Sequence, residues 1–210
     1  MSITLILGPM FSGKTTELIR LIDRERIARR SCLIICWSKD DRFTTDNVIV
    51  THTGYRYDKV LVERRPEITD EFVDKIISDK KISVLAIEEG QFFMNIHTVC
   101  DRFANAGIKV IVSALDGNFL QKPFGNIYQL VPLSEHVVKL NAICINCKSE
   151  AAFTARLSKE TDEVVVGAED KYVAVCRMCK KNLDSLIHTH FFSFLSKDDS
   201  NHAIITTDSR

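Results

Sequence analysis

Short apolar runs recur along the first two thirds of the chain, and amphipathic segments with helical periodicity lie between them. Four of these runs are apolar at nearly every position, as expected for strands that are covered on both faces. The predicted strands are residues 2–7, 32–37, 84–87 and 109–114. A shorter run at residues 60–62 is a further candidate strand.

The amphipathic segments predict three helices, at residues 16–30, at residues 68–78 and from Ile96 to about Phe103, with Gly107 as a C-cap. In the first of them, one face is expected to carry Leu18, Ile19, Ile22 and Ile27. Strands that alternate with helices form a parallel sheet, and ligands collect beyond the carboxyl ends of its strands. The pattern therefore predicts an α/β fold, a parallel sheet flanked by helices.

Composition and charge narrow the functional classes. The 210 residues are 45% hydrophobic and 27% charged, which is typical of a globular protein. Basic and acidic residues balance at 28 each, so no overall positive field attracts nucleic acid or an acidic membrane. The apolar start is too short for a signal sequence, and no apolar run could span a membrane. These features predict a cytoplasmic protein with neither nucleic acid nor membrane as a partner.

The loop at residues 8–15 fits the phosphate-binding pattern G-x-x-x-x-G-K-[ST] without a mismatch. Gly8 and Gly13 allow a tight turn whose N–H groups converge on one anion. Lys14 can reach the β- and γ-phosphates, and Thr15 can place its hydroxyl on Mg²⁺. The predicted strand before the loop and helix after it are the context that this motif requires. The predicted phosphate-binding residues here are Gly8, Pro9, Met10, Phe11, Ser12, Gly13, Lys14 and Thr15.

Two adjacent carboxylates, Glu88 and Glu89, follow the predicted strand 84–87. Downstream of a phosphate loop, carboxylates at a strand end hold Mg²⁺ and orient the attacking group. Because neighbouring strand residues point to opposite sides, one glutamate is expected to face the metal and the other the acceptor. Taken alone the pair would be a solvated strand end, but together with the phosphate loop it favours a catalytic role.

Two polar or turn-rich loops leave alternatives open. Asp40, Asp41 and Arg42 lie in a loop after the second strand, where they form either a solvated face or a clamp on the transferred phosphate. Phe119 and Phe124 lie after the last strand, where they either stack on a planar base or pack locally.

Four of the seven cysteines form two Cys-x-x-Cys pairs, separated by 28 residues. Two such turns complete a tetrahedral four-thiolate zinc site, which is closed and therefore structural. The predicted ligands are Cys144, Cys147, Cys176 and Cys179. The remaining cysteines are expected in the core.

The predicted domains are a nucleotide-binding domain at 1–140, a small C-terminal zinc-ribbon domain at 141–192 and a flexible tail at 193–210. Regular structure is expected to end near Asn182, and the histidines at 188, 190 and 202 are not taken as a metal site.

Several segments together resemble the type II thymidine kinase family, the small cytosolic and viral kind. They are residues 8–15, 88–93, 114–119 and 122–125 and the two cysteine pairs, and the resemblance covers about residues 2–182. It implies transfer of the γ-phosphate of ATP, with Mg²⁺, to the 5′-hydroxyl of thymidine or deoxyuridine. It also implies structural Zn²⁺, a homotetramer and feedback inhibition by thymidine triphosphate.

The resemblance also assigns site residues by position. Glu89 matches the catalytic base, and Thr15 and Glu88 would lie at the magnesium. Beyond the loop 8–15, the ATP side would include Asp40, Asp41, Arg42, Glu88, Gly90 and Gln91. The nucleoside side would include Met10, Phe92, Leu115, Phe119, Phe124, Glu163, Val164, Val165, Val166, Gly167 and Tyr172.

Two departures from the family pattern bear on efficiency. Glu88 stands where Asp is usual, so this carboxylate is one methylene longer. Ala168 and Glu169 replace small residues in the segment that would close over the nucleoside. Two alternative functions remain. One is a GTPase, and the lack of the guanine-reading Asn-Lys-x-Asp motif in the chain argues against it. The other is a zinc-ribbon interaction module with a vestigial nucleotide site.

Overall fold

A computed structural model describes residues 1–38, 48–51, 53–157 and 171–188. Its centre is a six-stranded, entirely parallel sheet in the order β5-β2-β6-β7-β1-β8. The strands are β1 (Ile3–Leu7), β2 (Cys32–Trp37), β5 (Leu61–Arg65), β6 (Val84–Ile87), β7 (Lys109–Ala114) and β8 (His136–Lys139). The predicted α/β class is confirmed. A short hairpin, β3 (Ile49–Val50) and β4 (Arg56–Tyr57), precedes β5.

Helices cover both faces of this sheet, and strand alternation supplies the two apolar surfaces that they bury. On one face, α1 (Lys14–Ile27) contributes Leu18, Ile19 and Ile22 to a cluster with Ile34 and Ile111. On the other face, α2 (Asp70–Asp79) and α3 (Ile96–Asn105) pack against the alternate strand residues. Gly107 follows α3 with φ +88°, as predicted for its C-cap region.

The prediction that Ile27 lies on the buried face of α1 is wrong, because its side chain is 76% exposed. Five residues after Ile22, a helix has turned about 140° past that face. Position 25 faces the sheet instead, and it is a glutamate. Glu25 is buried with its carboxylate bonded to Lys109 and Arg30.

The C-terminal part is a small module of two hairpins and a helix. Its elements are β9 (Ala142–Ile143), β10 (Glu150–Ala151), β11 (Phe153–Arg156), β12 (Tyr172–Val175) and α4 (Arg177–His188). Strand β9 pairs with β10, and β11 with β12, both antiparallel. The module has its own apolar cluster, formed by small residues and cysteines. The domain boundaries proposed from sequence stay a prediction.

The predicted loss of regular structure after Asn182 is wrong, because α4 continues to His188. Apolar residues at positions 183, 186 and 187 recur at helical spacing, and Leu183 packs against the module's apolar cluster. The segment 163–167, the tail at 193–210 and the histidines at 190 and 202 lie outside the described residues. In the described ranges, no helix combines the length and apolar character needed to span a membrane.

Candidate active site

The carboxyl ends of the parallel strands bring three loops to one edge of the sheet. The first loop, residues 8–13, joins β1 to α1, so a 14-residue helix directs its N-terminus at the loop. Gly8 has φ +154°, and a Cβ there would lie 2.5 Å from the carbonyl oxygen of Leu140. The loop is closed on itself by Ser12 Oγ and Lys14 Nζ, which donate to the carbonyl of Pro9 at 2.9 and 2.7 Å. Backbone and side chains thus form the tight concave turn that the glycine pattern predicted.

The carboxylate pair, Glu88 and Glu89, lies just beyond the end of β6. The strand ends at Ile87, and Glu89 has φ +54° at the start of a 3₁₀ segment, Gly90–Phe92. The expectation that strand alternation orients the two side chains is therefore wrong. A turn orients them instead. The backbone N–H of Glu88 donates to Ile35 O at 2.9 Å, and its Oε2 accepts from Cys36 Sγ at 3.4 Å.

Gln91 joins this turn to the third loop, residues 115–125. Its amide Nε2 donates to Glu89 Oε2, and its Oε1 accepts from Leu115 N at 3.0 Å. The third loop also passes directly over Gln91, since a Cβ on Gly125 would meet the Gln91 carbonyl oxygen at 2.3 Å. Gln91 is only 2% exposed. Its two side-chain hydrogen bonds tie the predicted base, Glu89, to the loop that carries Phe119 and Phe124.

Aromatic side chains line one side of this edge. Phe92 stacks on Trp37, with ring centroids 3.9 Å apart, and meets Phe124 edge-on at 5.6 Å. Such pairs hold their rings in defined orientations. Trp37 was not predicted as a site residue, although an aromatic residue at the carboxyl end of β2 is a signal that could have found it.

A buried arginine joins two further predicted substrate residues. The guanidinium carbon of Arg156 lies 3.8 Å from the ring centroid of Phe119, and its Nη2 donates to Tyr172 Oη at 2.9 Å. Both Arg156 and Tyr172 are buried. The other residues of β11 are apolar or small, so its arginine is unusual, and the sequence analysis did not single it out. Met10 is buried and Leu115 half-buried at the same edge.

The four predicted zinc ligands come together in the C-terminal module. Their sulfur atoms all lie within 4.8 Å of one another, and the Sγ atoms of Cys147 and Cys176 are 3.6 Å apart. Four sulfurs bound to zinc at about 2.3 Å would be about 3.8 Å apart. The cluster therefore fits such a metal. Hydrogen bonds from Ser149 lower the pKa of the Cys147 thiol to about 6, whereas burial raises the pKa of the Cys179 thiol to about 12. Of these two thiols, Cys147 therefore forms the metal-binding thiolate more readily.

Two groups of predicted site residues lie outside the described ranges. They are Asp40, Asp41 and Arg42, and the segment Glu163, Val164, Val165, Val166 and Gly167. Their predicted contacts with nucleotide and nucleoside stay predictions.

Fold and site together define an α/β nucleotide-binding protein of the phosphate-loop class. Residues 1–180 match a family model described as thymidine kinase. The chain is 47% identical over 177 residues to a thymidine kinase of Myxoma virus (strain Uriarra), covering 84% of this chain and 94% of that protein. It is 46% identical over 178 residues to that of rabbit fibroma virus (strain Kasza), with the same coverage. It is 45% identical over 177 residues to a thymidine kinase of vaccinia virus (strain Western Reserve), covering 84% of this chain and 95% of that protein.

The chain therefore belongs to the thymidine kinase family, and the resemblance found in the sequence is confirmed. It is a kinase, a phosphotransferase, and membership of this class implies that it uses ATP. Among solved structures, domain III of the Thermotoga maritima replication initiation protein DnaA reaches a TM-score of only 0.38 at 18% identity. The match covers 66% of this chain and 54% of the DnaA chain, and the family assignment does not rest on it.

Proposed function

We propose that this protein transfers the γ-phosphate of ATP to the 5′-hydroxyl of thymidine, and also of deoxyuridine. The observation that carries the proposal is the meeting of three groups at one sheet edge: the phosphate loop, the two glutamates and a set of aromatic rings. Phosphoryl transfer depends mainly on positioning and charge neutralisation, and these groups supply both.

The triphosphate would lie against residues 8–15, with the N-terminus of α1 and Lys14 facing its charge. Thr15 and Glu88 offer a hydroxyl and a carboxylate oxygen, the donor types that Mg²⁺ prefers, so the residues fit this ion. Magnesium bound there would neutralise charge on the phosphates. The longer side chain of Glu88 suits contact through the ion's water shell, because magnesium gives up its waters reluctantly.

Glu89 is the proposed base that accepts the proton of the 5′-hydroxyl. Its support is positional: the turn at φ +54° and the Gln91 hydrogen bond hold its carboxylate beside the aromatic loop. The nucleoside base would stack among the aromatic rings, in a site formed by Met10, Phe92, Leu115, Phe119, Phe124 and Tyr172. Asp40–Arg42 and residues 163–167 are proposed to complete the ATP and nucleoside sites.

The four-cysteine cluster is proposed to bind one Zn²⁺ in a structural role, because a site filled by four sulfurs has no open position for substrate. Reduced thiols of this kind suit a reducing compartment such as the cytoplasm. Family membership supports two further proposals, a homotetramer and inhibition by thymidine triphosphate. The balanced charge supports a protein that does not bind nucleic acid.

A phosphate-transfer assay across the four deoxynucleosides and deoxyuridine, with ATP as donor, tests the proposal. Thymidine and deoxyuridine are expected to be phosphorylated, and the other three deoxynucleosides are not. GTP hydrolysis without any nucleoside acceptor would instead indicate a GTPase. Transfer to deoxycytidine or deoxyadenosine at a rate equal to that of thymidine would contradict the assigned specificity.

A further inference from the structure

The phosphate loop is held from two directions. Its ends continue into β1 and α1, but its middle contacts the cysteine-bearing C-terminal module. The backbone N–H of Met10 donates to Thr154 Oγ1 at 3.0 Å, across 144 positions of sequence. Thr154 is on β11, and both residues are buried, at 5% and 7% exposure. Strand β1 ends at Leu7, so Met10 lies beyond the strand, and a side chain from the module accepts this N–H.

The next residue gives a second anchor. Phe11 has a positive φ of 65°, which is unfavourable for a residue with a bulky side chain. Its ring packs against the module's apolar cluster, which includes Ala142, Cys144 and Val175. Such a conformation persists only where surrounding contacts favour it. Hydrogen bonding at Met10 and packing at Phe11 therefore bind two consecutive loop residues to the same module.

We propose that Thr154 is a positioning residue for ATP binding, which acts through the backbone of Met10 and does not itself touch the nucleotide. The proposal rests on the proposed use of residues 8–15 as the triphosphate site. Removing the hydroxyl leaves a buried N–H without its acceptor, and the loop must shift or admit water to satisfy it. Either change disperses the N–H groups that have to converge on one phosphate.

The test compares Thr154→Val, which keeps the shape and loses the hydroxyl, with Thr154→Ser, which keeps the hydroxyl. Thr69→Val is the matched control, since Thr69 Oγ1 also accepts a backbone N–H, from Phe72, but caps α2, which belongs neither to the phosphate loop nor to the C-terminal module. The affinity for ATP is measured by calorimetry without nucleoside. Thr154→Val is expected to weaken it by roughly 5- to 30-fold, while Thr154→Ser stays close to wild type.

Zinc content, melting temperature and the KM for each substrate separate the alternatives. Thr69→Val should lower the melting temperature and leave ATP affinity unchanged, and zinc content should be equal in all variants. Wild-type ATP affinity in Thr154→Val with a lowered melting temperature would show a merely structural role and overturn the proposal. A rise confined to the KM for thymidine would place Thr154 at the nucleoside and overturn it as well.

Thr154→Ala removes the same hydroxyl with a smaller side chain, so it keeps the proposal testable should Thr154→Val fail to fold. A selective loss of ATP affinity in Thr154→Ala supports the proposal, and wild-type affinity contradicts it. Because ATP binding is measured without an acceptor, the outcome does not depend on which nucleoside is phosphorylated. Failure of the proposed thymidine specificity is therefore distinguishable from failure of this inference.

Discussion

Replacing Gln91 with leucine tests how the predicted base is held. The change keeps a similar volume but removes two hydrogen bonds, one to the Glu89 carboxylate and one from Leu115 N. A hydrogen bond to a charged group contributes about 1.5–3 kcal/mol, and an N–H left unsatisfied costs about 1–3 kcal/mol. Glu89 is half-buried and can partly turn to water, so the sum is discounted. The free energy of unfolding should fall by about 2–4 kcal/mol.

Turnover should fall as well, because Gln91 holds the predicted base in position. Displacing a catalytic group by about 1 Å costs on the order of 10²-fold in rate, so kcat of Gln91→Leu should fall by roughly 10- to 100-fold. Stability is measured by urea denaturation, and kcat by phosphate transfer at saturating substrates. Gln129→Leu is the matched control, because its two side-chain bonds are long, at 3.3 Å, and local. Wild-type stability and kcat in Gln91→Leu would refute the reasoning.

Changes at three other residues test the remaining assignments. Glu89→Gln keeps the shape but cannot accept a proton, so kcat should drop by roughly 10²–10⁴-fold with ATP affinity intact; most of the activity surviving would make Glu88 the candidate base. Glu88→Ala should require far more Mg²⁺ in an activity titration, and Glu88→Asp should remain active, whereas identical curves would place Glu88 away from the metal. Cys144→Ser should lower zinc content from about one per chain and destabilise the module, since zinc binding contributes folding free energy. Wild-type protein purified without chelators and free of zinc would contradict the zinc site.

Local pattern predicted well wherever neighbours in sequence decide the conformation. The strands Cys32–Trp37 and Lys109–Ala114 match their predicted bounds, because residues buried on both faces must be apolar throughout. The glycine spacing in residues 8–15 likewise predicted a tight turn. The prediction for Ile27 failed through helical geometry, since a residue five positions after Ile22 lies about 140° round the helix from it. The last helix extends beyond the predicted end of regular structure, because apolar residues at positions 183, 186 and 187 continue the helical spacing.

The sequence by itself thus determined the fold class, the phosphate loop, the carboxylate pair and the four cysteines, since each is a short motif with its own physical requirement. Only the tertiary structure decided which side chains hold those motifs in place. Thr154 bonds Met10, Gln91 bonds Leu115, and Arg156 joins Phe119 to Tyr172. These partners lie between 16 and 144 positions apart in sequence. No periodicity or spacing encodes such pairs, because packing of separate elements brings them together.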